Sequence, residues 1–205
     1  MSVSFYLYHY IHIATTMNIN SHGYWEGLEA NEQHCYDERL SDQLVKFFKN
    51  ENAEIIADFG CGMGTYVQKF NDENIVADGY DGNPNTEELT KSHCHILDLS
   101  EPIEFDKPYD WIMSLEVGEH IPKEYEDIFI NNLHTNNKYG IVLSWAIPGQ
   151  GGCGHVNEQD NMYVKTKICQ LGYTNDVEAE NVLRQNSSLF WFRNTIMVFR
   201  KNNST

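Results

Sequence analysis

Basic residues are scarce in this chain. Its 205 residues carry 14 Lys and Arg against 30 Asp and Glu, a formal net charge of −16. Duplex nucleic acid is gripped through clustered cations on its phosphates. That balance argues against a duplex-binding face and leaves room only for a small basic patch around a site. Long apolar runs are also missing. The stretch VSFYLYHYIHIA near the start holds two histidines and has no Lys or Arg before it. It is too short to span a bilayer and makes a poor secretory signal. Met17 would serve as a second start, making the first 16 residues dispensable. Cys35, Cys61, Cys94, Cys153 and Cys169 form no C-x-x-C pair and no zinc-type spacing. An odd, dispersed set reads as reduced thiols in a cytoplasmic protein. Without a signal, the sequons at Asn186, Asn202 and Asn203 are discounted, and no internal repeat is evident.

What is present suits one globular domain: an apolar fraction of 41%, with 12 Tyr, 10 Phe and 4 Trp, enough for a sizeable core at this length. Tyr36, Leu40, Leu44, Phe47 and Phe48 fall on one face of a helix ending near Asn50. Strand-like runs follow at IIADFG (55–60), IVADGYDG (75–82), HCHILDLS (93–100), DWIMSLE (110–116) and GIVLSWAI (140–147). Between the last two, Pro122 suits a first helical position, and Ile121, Tyr125, Ile128, Phe129 and Leu133 give an apolar stripe. Helical spacing returns at 158–171 and stops at Gly172. SLFWFRN and TIMVFRK, close together at the end, read as paired late strands. Strands alternating with helices predict an α/β, mostly parallel sheet covered on both faces, with ligands at the carboxyl ends of its strands.

The chemistry-bearing residues fall at those ends. DFGCGMG (58–64) places Gly60, Gly62 and Gly64 directly after a strand, where backbone can approach a ligand closely. The spacing is G-x-G-x-G, whereas a nicotinamide fingerprint wants G-x-G-x-x-G. Asp81 ends the next strand, 21 residues after Gly60, where an acid accepts from ribose hydroxyls. Asp98 ends the third, placed to receive an adenine amino group. Together these residues resemble the class I S-adenosylmethionine-dependent methyltransferases, over residues 32 to 201. DFGCGMG stands as the first cofactor motif, GYDGNP (79–84) as the second, LDLS (97–100) as the third and SLEVGEHIP (114–122) as the fourth. The resemblance implies a three-layer, Rossmann-like sandwich with a seven-stranded, mostly parallel sheet whose last strand is antiparallel. It also implies S-adenosyl-L-methionine as cofactor. Asp58, Gly60, Cys61, Gly62 and Gly64 would lie at its methionine end. Asp81 and Gly82 would meet its ribose, Asp98 and Leu99 its adenine, and Glu116 would complete the site.

Methyl transfer is an in-line displacement that needs an aligned, unprotonated nucleophile. If SLEVGEHIP makes one helical turn, Glu116, Glu119 and His120 share a face. SWAIPGQGGCGHVNEQ (144–159) brings His155, Asn157 and Gln159 on a glycine-rich loop. Three readings stand. In the first, His155 or His120 is a general base. In the second, Glu116, Glu119, His120 and His155 hold a divalent ion, with Mg²⁺, Mn²⁺ and Zn²⁺ equally suited. The E-x-x-E-H pattern looks like that of ubiquinone-pathway O-methyltransferases and of enzymes that methylate the 2′-hydroxyl of small RNAs, both metal users. In the third, Glu119 and His120 only start a helix, an acid opposing the helix dipole. The expected partition is an N-terminal extension or lid over 1–31, in which His22, Tyr24 and Trp25 of SHGYWEG form an aromatic wall or simply pack on the sheet, and a methyltransferase domain over 32–205. The expected activity is methyl transfer, O-methylation favoured, to a small-molecule or sugar-like acceptor, with no duplex nucleic acid or membrane as partner. The rivals are a metal-dependent RNA-end 2′-O-methyltransferase and a non-catalytic S-adenosylmethionine-binding regulator. Oligomeric state is left open.

Overall fold

A computed structural model describes residues 18–28 and 34–202. The apolar run near the start, Met17 and the sequon at Asn203 lie outside them. A small hairpin comes first, β1 (Asn18–Ile19) antiparallel to β2 (Trp25–Glu26). Helix α1 (Glu38–Asn50) buries Leu40, Leu44, Phe47 and Phe48 as its spacing predicts. It begins two residues later than Tyr36, because Asp37 caps it by accepting from the Leu40 amide. The same buried carboxylate also takes the Ser188 and Leu189 amides.

The main sheet then builds in chain order: β3 (Ile55–Phe59), α2 (Thr65–Asp72), β4 (Val76–Asp81), α3 (Thr86–Leu89), β5 (Cys94–Ile96) and β6 (Tyr109–Ser114). It continues through α4 (Glu126–Thr135), β7 (Asn137–Leu143), α5 (Asn161–Gln170), β8 (Tyr173–Asn175), α6 (Val177–Asn186), α7 (Phe192–Thr195) and β9 (Met197–Lys201). Its spatial order is β5-β4-β3-β6-β7-β9-β8, and β9 alone runs against its neighbours. The chain leaves β3 toward β5 on one side and returns to β6 on the other. The crevice at that reversal opens above the carboxyl ends of β3 and β6. Two apolar clusters cover the faces. One joins α1, α2, α6 and α7 to Trp111 and Met113, and the other joins α4 and α5 to Ile112, Ile141 and Trp145. That is the three-layer, Rossmann-like sandwich with an antiparallel last strand.

Two stretches fold otherwise than their sequence pattern predicts. SLFWFRN does not pair with TIMVFRK: it is a turn running into α7, and β9 pairs instead with β7 and β8. The short gap between the two runs therefore marks a helix end, not a hairpin. Pro122 likewise does not open α4. It precedes a 3₁₀ turn at Lys123–Tyr125, and the helix begins at Glu126.

Candidate functional site

The loop after β3 is held from below and from the side. The Gly60 and Cys61 amides both donate to the Tyr80 carbonyl, and the Gly62 amide donates to Asp81 Oδ2 at 2.9 Å. Gly60 has φ +85, and a Cβ there would lie 2.2 Å from Val117 Cγ2. Only glycine lets this loop meet the loop after β6. Asp58, at the end of β3, is buried, and desolvation, then the neighbouring Cys94 and Asp81, pushes its pKa well above the usual range. The buried Cys61 thiol meets that of Cys94 below the loop. Gly64 caps α2 with φ +67. Asp81 also accepts from the Asn83 amide across Gly82. Asp98 accepts from the Ser100 amide and hydroxyl, with Leu99 buried between them.

SLEVGEHIP is not a helical turn. Glu116 has φ +55, outside helical space. The chain then turns tightly, with His120 and Ile121 amides bonded to the Val117 and Gly118 carbonyls. The break gives the two acids different partners. Glu116 points to Gln150 Nε2 at 2.6 Å and Thr195 Oγ1 at 3.1 Å, and burial raises its pKa in spite of these bonds. Glu119 lies with His120 and His155, and one ligand atom from each of these three lies within 4.8 Å of the others, while the Glu116 carboxylate stays near enough to act on it electrostatically. The second glycine loop is locked to the same turn. The Val156 and Asn157 amides both donate to the Glu119 carbonyl, and Trp145 Nε1 donates to the Asn157 carbonyl. Asn157 itself turns away to Glu126, and Gln159 to Asn157.

Glu119 is 0% exposed, and among the described residues no side chain donates to its carboxylate, which only the backbone amides of Glu119 and Ala146 face; His120 Nδ1 has no partner of ordinary geometry among them either. His155 Nε2 is 3.9 Å from Glu119 Oε1. Burial first, then the Glu116 charge, pushes the Glu119 pKa well up. Burial, then His155, pulls that of His120 down to about 3. A buried, unpaired carboxylate is costly unless it is protonated or meets a cation. A neutral imidazole is the form that ligates one. Atoms bound to one ion at ~2.1 Å lie ~3–4 Å apart, so the trio fits a divalent ion with a small closure. One residue the motifs did not single out is Glu158. It accepts the Gly149 and Gly151 amides and holds His155 Nδ1 at 3.0 Å, the carboxylate–imidazole pairing that aims a metal-ligating histidine. Its only sequence signal is its place three residues after His155.

The β1–β2 hairpin lies over these ends. His22 Nδ1 meets Asp98 Oδ2 at 2.6 Å, and Trp25 stands edge-on to His120 with ring centroids 5.3 Å apart. Trp25 Nε1 is buried and has no hydrogen-bond partner among the described residues. Among the described residues no helix is long and apolar enough to cross a membrane.

A family model described as a methyltransferase domain matches residues 32–140, more than half of the chain. No curated protein matches the sequence. Among solved structures, magnesium protoporphyrin IX methyltransferase (ChlM) from Synechocystis PCC 6803 with bound SAH superposes with TM-score 0.61 at 15% identity, over 79% of this chain and 81% of its own. The methyltransferase domain of bacterial CtHen1 gives 0.56 at 18% identity, over 85% of this chain and 100% of its own. The N-methyltransferase NodS from Bradyrhizobium japonicum WM9, in complex with S-adenosyl-L-homocysteine, gives 0.57 at 16%, over 82% and 87%.

Proposed function

This chain belongs to the methyltransferase domain family and is a Rossmann-like, S-adenosylmethionine-dependent methyltransferase, and from that premise we propose that it methylates a hydroxyl oxygen of a small-molecule or sugar-like acceptor with the help of a divalent ion held by Glu119, His120 and His155. The observation that carries this reading is the buried Glu119 carboxylate, to which no side chain among the described residues donates, beside two imidazoles and the second glycine loop. S-Adenosylmethionine would supply the electrophilic methyl and leave as S-adenosylhomocysteine, and the ion would supply a Lewis acid that lets a bound hydroxyl give up its proton to water as the C–O bond forms.

The protein's own groups do the rest. The glycine loop with Asp58, Gly60, Cys61, Gly62 and Gly64 cradles the methionine end. Asp81 with Gly82 takes the ribose, and Asp98 with Leu99 the adenine. Glu158 fixes the His155 ring so that Nε2 faces Glu119. Glu116, held by Gln150 and Thr195, ties the loop after β6 to the loop after β7 and leaves ion binding to the other three. The hairpin over 18–28 acts as a lid that excludes water. Lys123 and Lys167, the cations beside α4, are both taken by Glu126. That favours a small acceptor over an RNA end.

A methyl-transfer screen over phenols, sugars, amines and RNA ends, run before and after chelation, tests this. Transfer to hydroxyl acceptors should fall at least ~10-fold on chelation and return with Mn²⁺ or Mg²⁺. Undiminished turnover in chelator removes the ion, and turnover only with amines removes O-methylation. Glu119→Gln should abolish the rise in melting temperature caused by Mn²⁺ while leaving the metal-free protein at least as stable, because it removes a buried charge.

A further inference from the structure

The hairpin has two-residue strands and rests on the ends of the main sheet. Its tip residue Gly23 lies so close to the turn after β6 that a Cβ would be 2.0 Å from the His120 carbonyl oxygen. Beside it, the Tyr24 ring lies on Gly82, where a Cβ would be 2.6 Å from Tyr24 Cγ and Cδ1. Gly82 is not among the glycines with positive φ, so space, not backbone conformation, calls for glycine there. The aromatic ring takes the place of a side chain directly after Asp81. Asp98 lies close enough to add to burial in raising the Tyr24 pKa. His22 sits on the Asp98 carboxylate, with its ring 5.0 Å from that of Tyr125. The base of the hairpin is tied to the same place, since Asn83 Nδ2 donates to the Gly27 carbonyl at 3.0 Å. Two carboxylates that accept hydrogen bonds thus adjoin a flat apolar face brought from outside the sheet.

We propose that Tyr24 is a cofactor-binding residue whose ring stacks on the purine of S-adenosylmethionine while Asp81 and Asp98 accept from its hydroxyls and amino group. The inference rests on the cofactor reading of those two acids. An aromatic face beside a purine contributes through stacking, which the phenol hydroxyl does not supply. Calorimetry on the whole chain, with S-adenosylhomocysteine and then with 5′-methylthioadenosine, tests it. Tyr24→Ala should weaken both ligands roughly 10-fold, and Tyr24→Phe should bind both as the parent does. Tyr24→Leu, which keeps apolar bulk without a planar face, should weaken both nearly as far, with melting curves confirming that it folds. Unchanged or tighter binding by Tyr24→Ala and Tyr24→Leu overturns the proposal, as does a loss seen with S-adenosylhomocysteine alone. A parent chain that binds neither ligand refutes the cofactor reading of Asp81 and Asp98 instead.

Discussion

Gly118 shows how much of the site depends on the absence of one methyl group. A Cβ there would lie 2.3 Å from Cε3 and Cζ3 of Trp145, which is fully buried and fixed through Nε1 by the Asn157 carbonyl. The turn carrying Glu119 and His120 therefore lies flat on the indole. No positive φ is involved, so the requirement is steric. Gly118→Ala should lift this turn from Trp145 and cost ~1–3 kcal/mol, as overpacked interiors do. A thermal melt would show a fall of several degrees, and the Mn²⁺-dependent rise should shrink with it. An unchanged melting temperature would mean that the turn has room to spare. Tyr24 and Gly82 repeat the same logic at the end of β4, where a missing side chain is filled by a ring from another segment.

At the scale of elements, the start of α4 is a buried electrostatic joint. Glu126 is 1% exposed and accepts from Lys123, Asn157 and Tyr163, with Lys167 3.0 Å away. Burial alone would raise its pKa, but these partners together outweigh burial and hold it at about 2, below the ordinary 4.5. A depressed carboxylate stabilises the fold above its unfolded pKa and loses that contribution as pH falls through the folded one. Between pH 4.5 and about 2, the chain should lose on the order of 2 kcal/mol from this residue, discounting for the exposed ends of its lysines. Urea unfolding at stepped pH would detect it, and Glu126→Gln should flatten that part of the profile. An equally steep profile in the variant would assign acid sensitivity to other carboxylates. Because Asn157 is one of the partners, this joint also anchors the loop that carries His155.

Across the whole molecule, acidity is the dominant long-range term. With a net charge of −16, like-charge repulsion disfavours the compact state, and salt screens it over a Debye length of ~8 Å at physiological strength. The paired cations oppose this trend: Arg200 bridges Glu51 and Asp176, and Lys165 holds Glu180. Such pairs engage eight of the 14 Lys and Arg but leave the excess of 16 negative charges, so the melting temperature should rise by a few degrees between ~10 mM and ~150 mM NaCl. A fall would give local pairs the larger share. The same balance predicts no retention of duplex DNA at ~150 mM salt in a gel-shift measurement.

The sequence by itself determined the alternation of strands and helices, the glycine loop, the acids at successive strand ends and the helix face of α1. These are local: period, propensity and turn chemistry act over a few residues, and their sum specifies an α/β sheet. It also grouped Glu119, His120 and His155 with Glu116 as candidate ligands, though not the spacing of their ligand atoms. Only the tertiary structure decided that Glu116 bonds to Gln150 and Thr195, because that depends on one left-handed residue and on partners far along the chain. It likewise decided that β9 lies between β7 and β8 while SLFWFRN turns into a helix, since register across a sheet is a long-range property. And it brought Tyr24 to Gly82 and His22 to Asp98, contacts between segments distant in the chain that no local pattern encodes.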